Sequence, residues 1–331
     1  MTLNYPQIKS TLLEAKNMVV TSHQSPDGDA VASSLAMYNF LKAMNLSSKV
    51  ILPDAFASFY AWMKGSNEVI FYDKQKEACD TLFAEADVIF CLDYNASKRV
   101  GAMQNALDTS KAFKILIDHH PNPSQNFEVI YSDTSISSTC EMVFEFITNL
   151  GYQDKIDKTI GECIYCGMVT DTGSFRFSSV TARTHEVAAI LLKKGVIKHA
   201  VHEAIFDQNS LSRIKLQGHI LNNQLEHLSE KKTTIIHLTK QDHHTFNIQA
   251  GDTEGFVNVA LSIKGTEIAA FFREKDDMIK ISFRSKGSIE ANKLAEKYFS
   301  GGGHKNAAGG QFTGTLNDAI SLYKKVIDEF I

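Results

Sequence analysis

The stretch Phe113-Lys114-Ile115-Leu116-Ile117-Asp118-His119-His120 joins an apolar run to a carboxylate and two imidazoles. The apolar run predicts a buried strand, and the tripeptide that closes it supplies potential metal ligands. Two further apolar segments have the same design, because residues 17–22 lead into His23 and residues 87–92 lead into Asp93. A parallel sheet gathers its active groups at the carboxyl ends of its strands, so we expect these side chains to converge in one crevice.

Six acidic and imidazole side chains form the expected ligand set. Taken singly, each aspartate is explained as a helix cap or turn residue, and each histidine as a structural one. Together they would bury several like charges, which is too costly without a cation. Aspartate and histidine without thiolates favour hard or borderline divalent metals, and six ligands serve two ions if carboxylates bridge. The candidate ligands are His23, Asp27, Asp29, Asp93, His119 and Asp171.

Length and charge limit the classes of protein to which this chain can belong. A chain of 331 residues exceeds the usual size of a single hydrophobic core, so two domains are expected. The formal net charge of −4 at pH 7 argues against a broad basic surface for long nucleic acid, but it is compatible with a short anionic substrate. Bound metals would neutralise part of the acidic total, so the local field of the crevice can still be positive.

The remaining composition predicts a cytoplasmic protein without membrane contact. No apolar segment reaches the roughly 20 residues of a transmembrane helix, and residues 1–6 lack the regions of a secretory signal. The five cysteines are an odd number at irregular spacings, which fits a reducing compartment. Cys163 and Cys166 lie in an apolar segment without a second pair, so we expect buried structural thiols. The oligomeric state stays open, a homodimer included.

The alternation of apolar and amphipathic segments predicts the fold class. Up to about residue 180 it is typical of an α/β fold with a largely parallel sheet and flanking helices. After a helical connector, the pattern indicates half-buried strands of a smaller α+β domain. We expect a metal-binding domain over residues 1–190, the connector over 191–228 and a substrate domain over 229–331. The expected strands are 17–22, 49–52, 87–92, 113–117, 233–238, 267–272 and 278–283, and the expected helices are 30–44, 138–149, 158–168, 184–194 and 288–299.

The Asp-His-His tripeptide occurs a second time, at residues 242–244. This copy follows Leu238-Thr239-Lys240-Gln241, which is typical of a helix start rather than a buried strand. It has no acidic cluster nearby in the sequence. We therefore expect it to be solvated and to take no part in catalysis.

A glycine-rich segment near the C-terminus, residues 300–310, predicts a contact with an anion. Three consecutive glycines let the backbone approach a ligand closely, and a flexible turn is the alternative. The segment lacks the Gly-Lys-Ser/Thr ending of a P-loop. Upstream, strand alternation places an arginine on one face, from which its guanidinium can bind phosphate. The candidate residues are Arg284, Gly301, Gly302, Gly303 and His304.

These motifs, in this order, resemble those of the DHH phosphoesterase superfamily. The matching residues are His23-x-x-x-Asp27-x-Asp29, Asp93, Asp118-His119-His120 and Asp171-Thr172-Gly173. Phe283-Arg284-Ser285 and the segment from Gly301 to Gly309 resemble its DHHA1 substrate domain. The compact layout is most similar to the branch of nanoRNases and 3′-phosphoadenosine 5′-phosphate phosphatases.

The resemblance implies a role for each matching residue. One metal would be held by His23, Asp27 and Asp93, and the other by Asp29, Asp93, His119 and Asp171. Asp118 would orient a neighbouring imidazole, and His120 would face the scissile phosphate. Another phosphate, across an interdomain cleft, would be held by Arg284, His304 and the amides of Gly301, Gly302 and Gly303. Mn²⁺ is the expected ion, with Mg²⁺ and Co²⁺ as alternatives.

The implied activity is metal-dependent hydrolysis of phosphoesters. The expected substrates are short oligoribonucleotides and 3′-phosphoadenosine 5′-phosphate, which would yield mononucleotides and AMP. A phosphodiesterase of cyclic di-AMP or linear dinucleotides, and a polyphosphatase or pyrophosphatase, stay open, because these substrates also carry a second anionic group. A nucleotide sensor without turnover is disfavoured, since binding alone needs no such set of aligned metal ligands.

Overall fold

A computed structural model describes residues 3–249, 251–275 and 278–331. The chain divides into two compact units, Met1–Gln208 and Asn209–Ile331. Each unit has its own β-sheet and its own hydrophobic core. None of the helices in the described ranges is long and apolar enough to span a membrane.

The first unit is built on a six-stranded sheet in which all neighbouring strands are parallel. Its strands are β1 (Met18–Thr21), β2 (Ser48–Leu52), β3 (Ile70–Phe71), β4 (Val88–Leu92), β5 (Phe113–Asp118) and β6 (Val129–Ser132). They lie in the order β3-β2-β1-β4-β5-β6. Because β1, β4 and β5 are neighbours, the strand ends that lead into His23, Asp93 and His119 lie side by side.

Helices cover both faces of this sheet. They are α1 (Tyr5–Glu14), α2 (Gly28–Ala43), α3 (Lys76–Glu85), α4 (Gln104–Thr109), α5 (Thr139–Asn149), α6 (Lys158–Asp171), α7 (Ala182–Lys193) and α8 (Lys198–Phe206). Alternate residues of β1 enter different cores, since Val20 packs with α2, α5 and α6 whereas Val19 packs with α3 and α4. Burial on both faces explains why the central strands are continuous apolar runs.

The predicted α/β fold with a largely parallel sheet is confirmed, and the differences lie at its margins. β1, β2, β4 and β5 match the expected strands to within one residue at each end. The sequence does not predict β3 or β6, because β3 has only two residues and both strands are half-buried. α6 continues past the expected end at residue 168, so Asp171 is the last residue of a helix.

The second unit is a mixed sheet with helices on both faces. Its strands are β7 (Leu225–Leu228), β8 (Thr233–Leu238), β9 (Ile268–Lys275), β10 (Met278–Ser285), β11 (Gly302–His304) and β12 (Ala307–Phe312), and its helices are α9 (Leu211–Asn223), α10 (Lys240–Phe246), α11 (Phe256–Leu261), α12 (Ala291–Tyr298) and α13 (Leu316–Val326). The order is β11-β12-β10-β9-β8-β7, with only β8 and β9 parallel among these pairs. α12 and α13 pack on the face of Phe272, and α9 and α11 on that of Phe271. The predicted second sheet domain is confirmed.

The segment expected to be a helical connector, residues 191–228, is divided between the two units. α8 belongs to the first unit and α9 to the second, and the division falls between Gln208 and Asn209. Leu225, expected on a helix, begins the edge strand β7 instead. Leu225 is four residues after Leu221, a spacing that is typical of a helix, but α9 ends at Asn223.

Candidate metal centre

Asp93 lies at the centre of a cluster of carboxylates and imidazoles in the first unit. It follows β4 directly, and its φ of 65° is in the left-handed region that aspartate tolerates better than most residues. Its amide donates to the Ile117 carbonyl of β5 at 3.1 Å. Asp93 Oδ2 is 3.5 Å from His23 Nε2, and Oδ1 is 3.5 Å from His119 Nε2. Asp93 therefore presents one oxygen to each of two histidines.

The first group of potential ligands is His23, Asp27 and Asp93, whose donor atoms all lie within 4.8 Å of one another. His23 Nδ1 lies 2.9 Å from the Gln24 carbonyl oxygen, so Nδ1 carries a proton and Nε2 faces the carboxylates. Asp27 is also the N-cap of α2, where its Oδ1 accepts the amide of Asp29 at 3.1 Å. Hydrogen bonds within the loop after β1 thus hold His23 and Asp27 in place.

The second group is Asp29, His119 and Asp171, which come from α2, from the end of β5 and from the end of α6. His119 Nε2 is 3.4 Å from Asp171 Oδ2 and 4.0 Å from Asp29 Oδ2. His119 Nδ1 lies 3.3 Å from the Ile136 carbonyl oxygen, which again turns Nε2 toward the carboxylates. Because His119 is also close to Asp93, the Asp93 carboxylate connects the two groups.

The N-terminus of α5 holds two of these carboxylates. The amides of Thr139 and Cys140 donate to Asp29 Oδ2 and Oδ1 at 2.6 and 3.0 Å, as helix N-termini do for anions. The Thr139 hydroxyl donates to Asp93 Oδ1 at 2.8 Å. The sequence predicts the helix but not this role of Thr139. The available signal is the N-cap Ser138, which marks a helix start without showing what faces it.

Asp118 and His120 form a further group with Asp93. His120 Nδ1 donates to Asp118 Oδ1 at 2.7 Å and lies 3.8 Å from Asp93 Oδ1. Asp118 is fully buried, and its Oδ2 has no hydrogen-bond partner in the described part of the chain. The hydrogen bond fixes the imidazole ring of His120 and makes Nε2 the nitrogen that can act on a ligand.

The electrostatics of this cluster fit a bound cation. Burial, and then the charges of Asp93 and Asp171, raise the pKa of Asp29 well above its usual range. Burial likewise raises the pKa of Asp171 to about 6. Burial acts on Asp93 in the same direction, but hydrogen bonds from His119 and His23 outweigh it and hold its pKa well below the usual range. Crowded carboxylates and imidazoles without a thiolate are a donor set for divalent metal ions.

Known proteins with the same sequence features identify the family. Residues 17–168 match the DHH family, N-terminal domain, and residues 233–331 match the DHHA1 domain. The crystal structure of an exopolyphosphatase-related protein from Bacteroides fragilis is 40% identical to this chain, with a TM-score of 0.93. The similarity covers 98% of this chain and 96% of that one. The chain belongs to the DHH family.

Two curated relatives resemble this DHH-family protein over most of its length. The bifunctional oligoribonuclease and PAP phosphatase NrnA of Bacillus subtilis is 29% identical over 297 residues, which is 88% of each chain. The protein of the same name from Thermus thermophilus is 29% identical over 315 residues, which cover 93% of this chain and 87% of the relative. The resemblance read from the sequence is thereby confirmed.

All six residues predicted as metal ligands lie together in the first unit, in the two groups that Asp93 connects. His120 and Asp118 lie beside them, as predicted. Their geometry is compatible with the predicted roles, and metal ligation itself stays a prediction.

Two of the predicted substrate residues of the DHHA1 domain, Arg284 and His304, share one face of the second sheet. Arg284 pairs with Ala307 of β12, and Ala307 pairs with His304 of β11. Since directly paired residues of antiparallel strands share a face, Arg284 and His304 lie in one row. Arg284 Nη1 donates to the Phe283 carbonyl at 3.0 Å.

The glycine segment of the DHHA1 domain is part of a hairpin rather than a flexible turn, which was the alternative to a contact with an anion. Gly302 and Gly303 pair with β12 as part of β11. The Gly301 amide donates to the Ala295 carbonyl at 3.1 Å, so this amide already has a partner within the domain. A Cβ at Gly301 would collide with the Gly309 carbonyl oxygen, which only glycine avoids. The close approach of two strands therefore explains part of this sequence signal.

The second Asp-His-His tripeptide lies in the first turns of α10, near the helix start as predicted. The expectation that it is solvated is wrong for Asp242. Its side chain is buried and accepts hydrogen bonds from His219 Nε2 at 3.0 Å and Gln224 Nε2 at 2.8 Å. Asp242 also completes a capping box with Thr239. His244 is exposed. Asp242 therefore attaches α10 to the end of α9.

Proposed function

We propose that this protein is a metal-dependent phosphoesterase that hydrolyses short oligoribonucleotides and 3′-phosphoadenosine 5′-phosphate to mononucleotides and AMP. The observation that carries the proposal is the pair of ligand groups joined by Asp93, because such a cluster suits metal-assisted hydrolysis of phosphoesters. The two NrnA relatives support the substrate class, since their names combine oligoribonuclease with PAP phosphatase.

Two divalent cations would complete the site. One would be held by His23, Asp27 and Asp93, and the other by Asp29, Asp93, His119 and Asp171. We propose Mn²⁺, with Mg²⁺ and Co²⁺ as alternatives, because carboxylate and imidazole donors suit these ions. When bound, the ions lower the pKa of water and neutralise charge on the phosphoryl group.

The protein's own residues orient the reacting groups. Asp118 accepts a hydrogen bond from His120 Nδ1 at 2.7 Å, so that Nε2 can contact a non-bridging oxygen of the scissile phosphate. Thr139 holds the Asp93 carboxylate in the same manner, through its hydroxyl. Because both supports are buried, these groups lose little orientational freedom when the substrate binds.

A second phosphate of the substrate would bind to residues of the DHHA1 domain. We assign this role to Arg284, whose guanidinium can bind two phosphate oxygens, and to His304. The backbone of Gly302 and Gly303 would allow close approach of the ligand. Binding through two phosphates explains how a protein of net charge −4 can act on RNA.

Two other activities use the same chemistry. A polyphosphatase or pyrophosphatase is supported by the 40% identity to an exopolyphosphatase-related protein. A phosphodiesterase of cyclic di-AMP or of linear dinucleotides would need the same ligands. A nucleotide sensor without turnover is disfavoured, because binding alone does not require the buried carboxylates of the cluster.

A turnover panel with Mn²⁺ tests the proposal. It compares 5′-phosphorylated di- to pentaribonucleotides, 3′-phosphoadenosine 5′-phosphate, linear and cyclic di-AMP, pyrophosphate and polyphosphate. We expect the highest kcat/KM on the short oligoribonucleotides and on the bisphosphate, and no turnover after the metal is removed. A higher kcat/KM on polyphosphate or cyclic di-AMP would replace the proposed substrate. Turnover that survives complete metal removal would contradict the metal centre.

A further inference from the structure

Arg273 is an arginine of the DHHA1 domain that has no acidic partner among the described residues. It lies on β9, on the same sheet face as Phe271. Its Nη1 donates to the Thr253 hydroxyl at 3.1 Å, and its Nη2 donates to the Ser282 hydroxyl at 3.3 Å. Its Nε is buried and makes no hydrogen bond within the described ranges. The polar contacts of this guanidinium are thus with neutral hydroxyls.

Two nearby side chains on this face, Lys280 and Arg284, are also cations. Lys280 is the direct partner of Arg273 across β9 and β10, and Arg284 lies four residues further along β10 on the same face. Burial, and then the charge of Arg284, lower the pKa of Arg273. Arginine stays charged despite such a shift in pKa. No acidic side chain among the described residues neutralises the positive charge of Arg273. The guanidinium lies 5.3 Å from the centroid of the Phe271 ring, but a buried charge without a counter-charge is costly unless a ligand compensates it.

The sheet surface next to Arg273 and Arg284 has room for an anion. Ser282, to which Arg273 donates, pairs with Gly309, and Gly309 pairs with Gly302. A Cβ at Gly302 would meet no described atom within 4 Å, and one at Gly309 would meet only a carbonyl oxygen at 3.8 Å. At this level of the sheet, neither glycine has a side chain that would hinder an anion from reaching Ser282.

We propose that Arg273 and Arg284 bind the same phosphate group, with the Ser282 hydroxyl between them as a third contact. Arg273 already contacts Ser282, and Arg284 stands two residues from Ser282 on the same strand, roughly 6.6 Å away. The guanidinium groups of both arginines can therefore reach one tetrahedral anion. The inference rests on the proposed function, in that the phosphate is the terminal 5′-phosphate of a short RNA. Arg273 is then a specificity-determining residue that favours 5′-phosphorylated over 5′-hydroxyl substrates.

The test measures this preference in the full-length, Mn²⁺-loaded protein. The ratio of kcat/KM for a 5′-phosphorylated diribonucleotide to that for its 5′-hydroxyl counterpart is compared between wild type and Arg273→Gln. We expect the ratio to fall by about 10-fold or more, as the loss of a charge-assisted contact predicts. Lys275→Gln is the matched control, because Lys275 is an exposed cation on the same strand. Its ratio should equal that of wild type.

Three outcomes would overturn the inference: an unchanged ratio in Arg273→Gln, an equal loss on both substrates, or the same fall in Lys275→Gln. If Arg273→Gln does not fold, the same ratio is measured for Arg273→Lys. Lysine keeps the positive charge but lacks the two-pronged hydrogen bonding of a guanidinium group. The ratio should fall several-fold, and a wild-type ratio overturns the inference.

A binding measurement distinguishes failure of this inference from failure of the proposed function. If wild type hydrolyses neither diribonucleotide, the proposed function fails for these substrates, and calorimetry with 3′-phosphoadenosine 5′-phosphate tests Arg273 without turnover. Binding about 10-fold weaker in Arg273→Gln than in wild type supports the phosphate contact. Equal binding by the two proteins, or no binding by either, overturns it.

Discussion

Asp93 combines an uncommon backbone conformation with a carboxylate that faces two ligand groups. Left-handed conformations of non-glycine residues collect at functional sites. Asparagine tolerates this conformation and has the same shape, so Asp93→Asn removes the charge and little else. We expect the variant to fold, as circular dichroism would show, but to lose bound Mn²⁺ and measurable turnover. A variant with normal metal content and kcat/KM would exclude Asp93 as the bridge.

The second Asp-His-His tripeptide supplies the control for this experiment. His244 is exposed on α10 and lies outside the ligand groups of the first unit. His244→Ala should therefore keep metal content and kcat/KM within about twofold of wild type, as surface substitutions usually do. A loss comparable to that of Asp93→Asn would mean that the wrong histidine pair has been assigned to the site.

Thr139 would act on the proposed metal centre through Asp93, whose carboxylate accepts the Thr139 hydroxyl. Thr139→Val keeps the backbone amide that binds Asp29 and removes the hydroxyl that binds Asp93 Oδ1. Supports of this kind typically contribute 10- to 100-fold to metal affinity, so we expect Mn²⁺ binding to weaken by about 10-fold. Calorimetric titration measures the change. Thr139→Ser retains the hydroxyl and should bind Mn²⁺ like wild type, and equal affinity in all three proteins would contradict the role.

The residues that form the cluster could be predicted from the sequence more completely than the residues that support them. His23, Asp93 and His119 each follow an apolar strand, and parallel strands end at one edge of the sheet. Thr139 could not be predicted, because a threonine at a helix start has the same signature whether its hydroxyl faces water or a carboxylate. Asp242 is buried by a contact between two helices, which no local pattern records.

Two adjacent glycines at the start of β11 are required for different reasons, Gly301 for strand packing and Gly302 for the proposed approach of a ligand. A Cβ at Gly301 would collide with the backbone of β12, whereas one at Gly302 would meet nothing within 4 Å among the described residues. Gly301→Ala should therefore destabilise the protein by about 1–3 kcal/mol, as overpacking does. Gly302→Ala should leave the free energy of unfolding within about 0.5 kcal/mol of wild type and still lower kcat/KM, because a ligand approaches there. Thermal unfolding and steady-state kinetics measure both effects.

The two glycine variants control each other. If Gly302→Ala has a wild-type kcat/KM, the substrate does not approach this strand and the contact assigned to it is wrong. If Gly301→Ala is as stable as wild type, the close approach of β11 and β12 does not require glycine at that position.

Long buried elements could be predicted from the sequence, and short or exposed ones could not. β1, β4 and β5 are continuous apolar runs because both faces of their sheet are covered. β7 is a four-residue edge strand directly behind a helix, so its leucines continue the helical spacing. β11 consists of two glycines and a histidine, residues that are typical of a loop. In both cases pairing with the strand that follows decides the structure, and the residue types of the short segment do not show this pairing.

The whole molecule carries a formal charge of −4, which limits how it can hold RNA. Affinity for long nucleic acid comes largely from many phosphate contacts by lysine and arginine, which release counterions. Arg273 and Arg284 are the cations proposed to contact the substrate, and two arginines suffice for a terminal phosphate but not for a long backbone. Affinity must therefore come from the metal centre and from the ends of the substrate.

A preference for short chains follows from this charge distribution. Each nucleotide beyond the assigned contacts adds a phosphate that gains little counterion-release affinity and still costs conformational entropy on binding. We expect kcat/KM to fall once the RNA exceeds about five nucleotides, a length at the lower end of single-strand site sizes. The measurement compares 5′-phosphorylated RNAs from two to about 24 nucleotides at fixed Mn²⁺ and ionic strength, and repeats the longest at several salt concentrations. Equal or higher kcat/KM on the longest RNA, with a steep dependence on salt, would require an extended basic groove and a processive exonuclease instead.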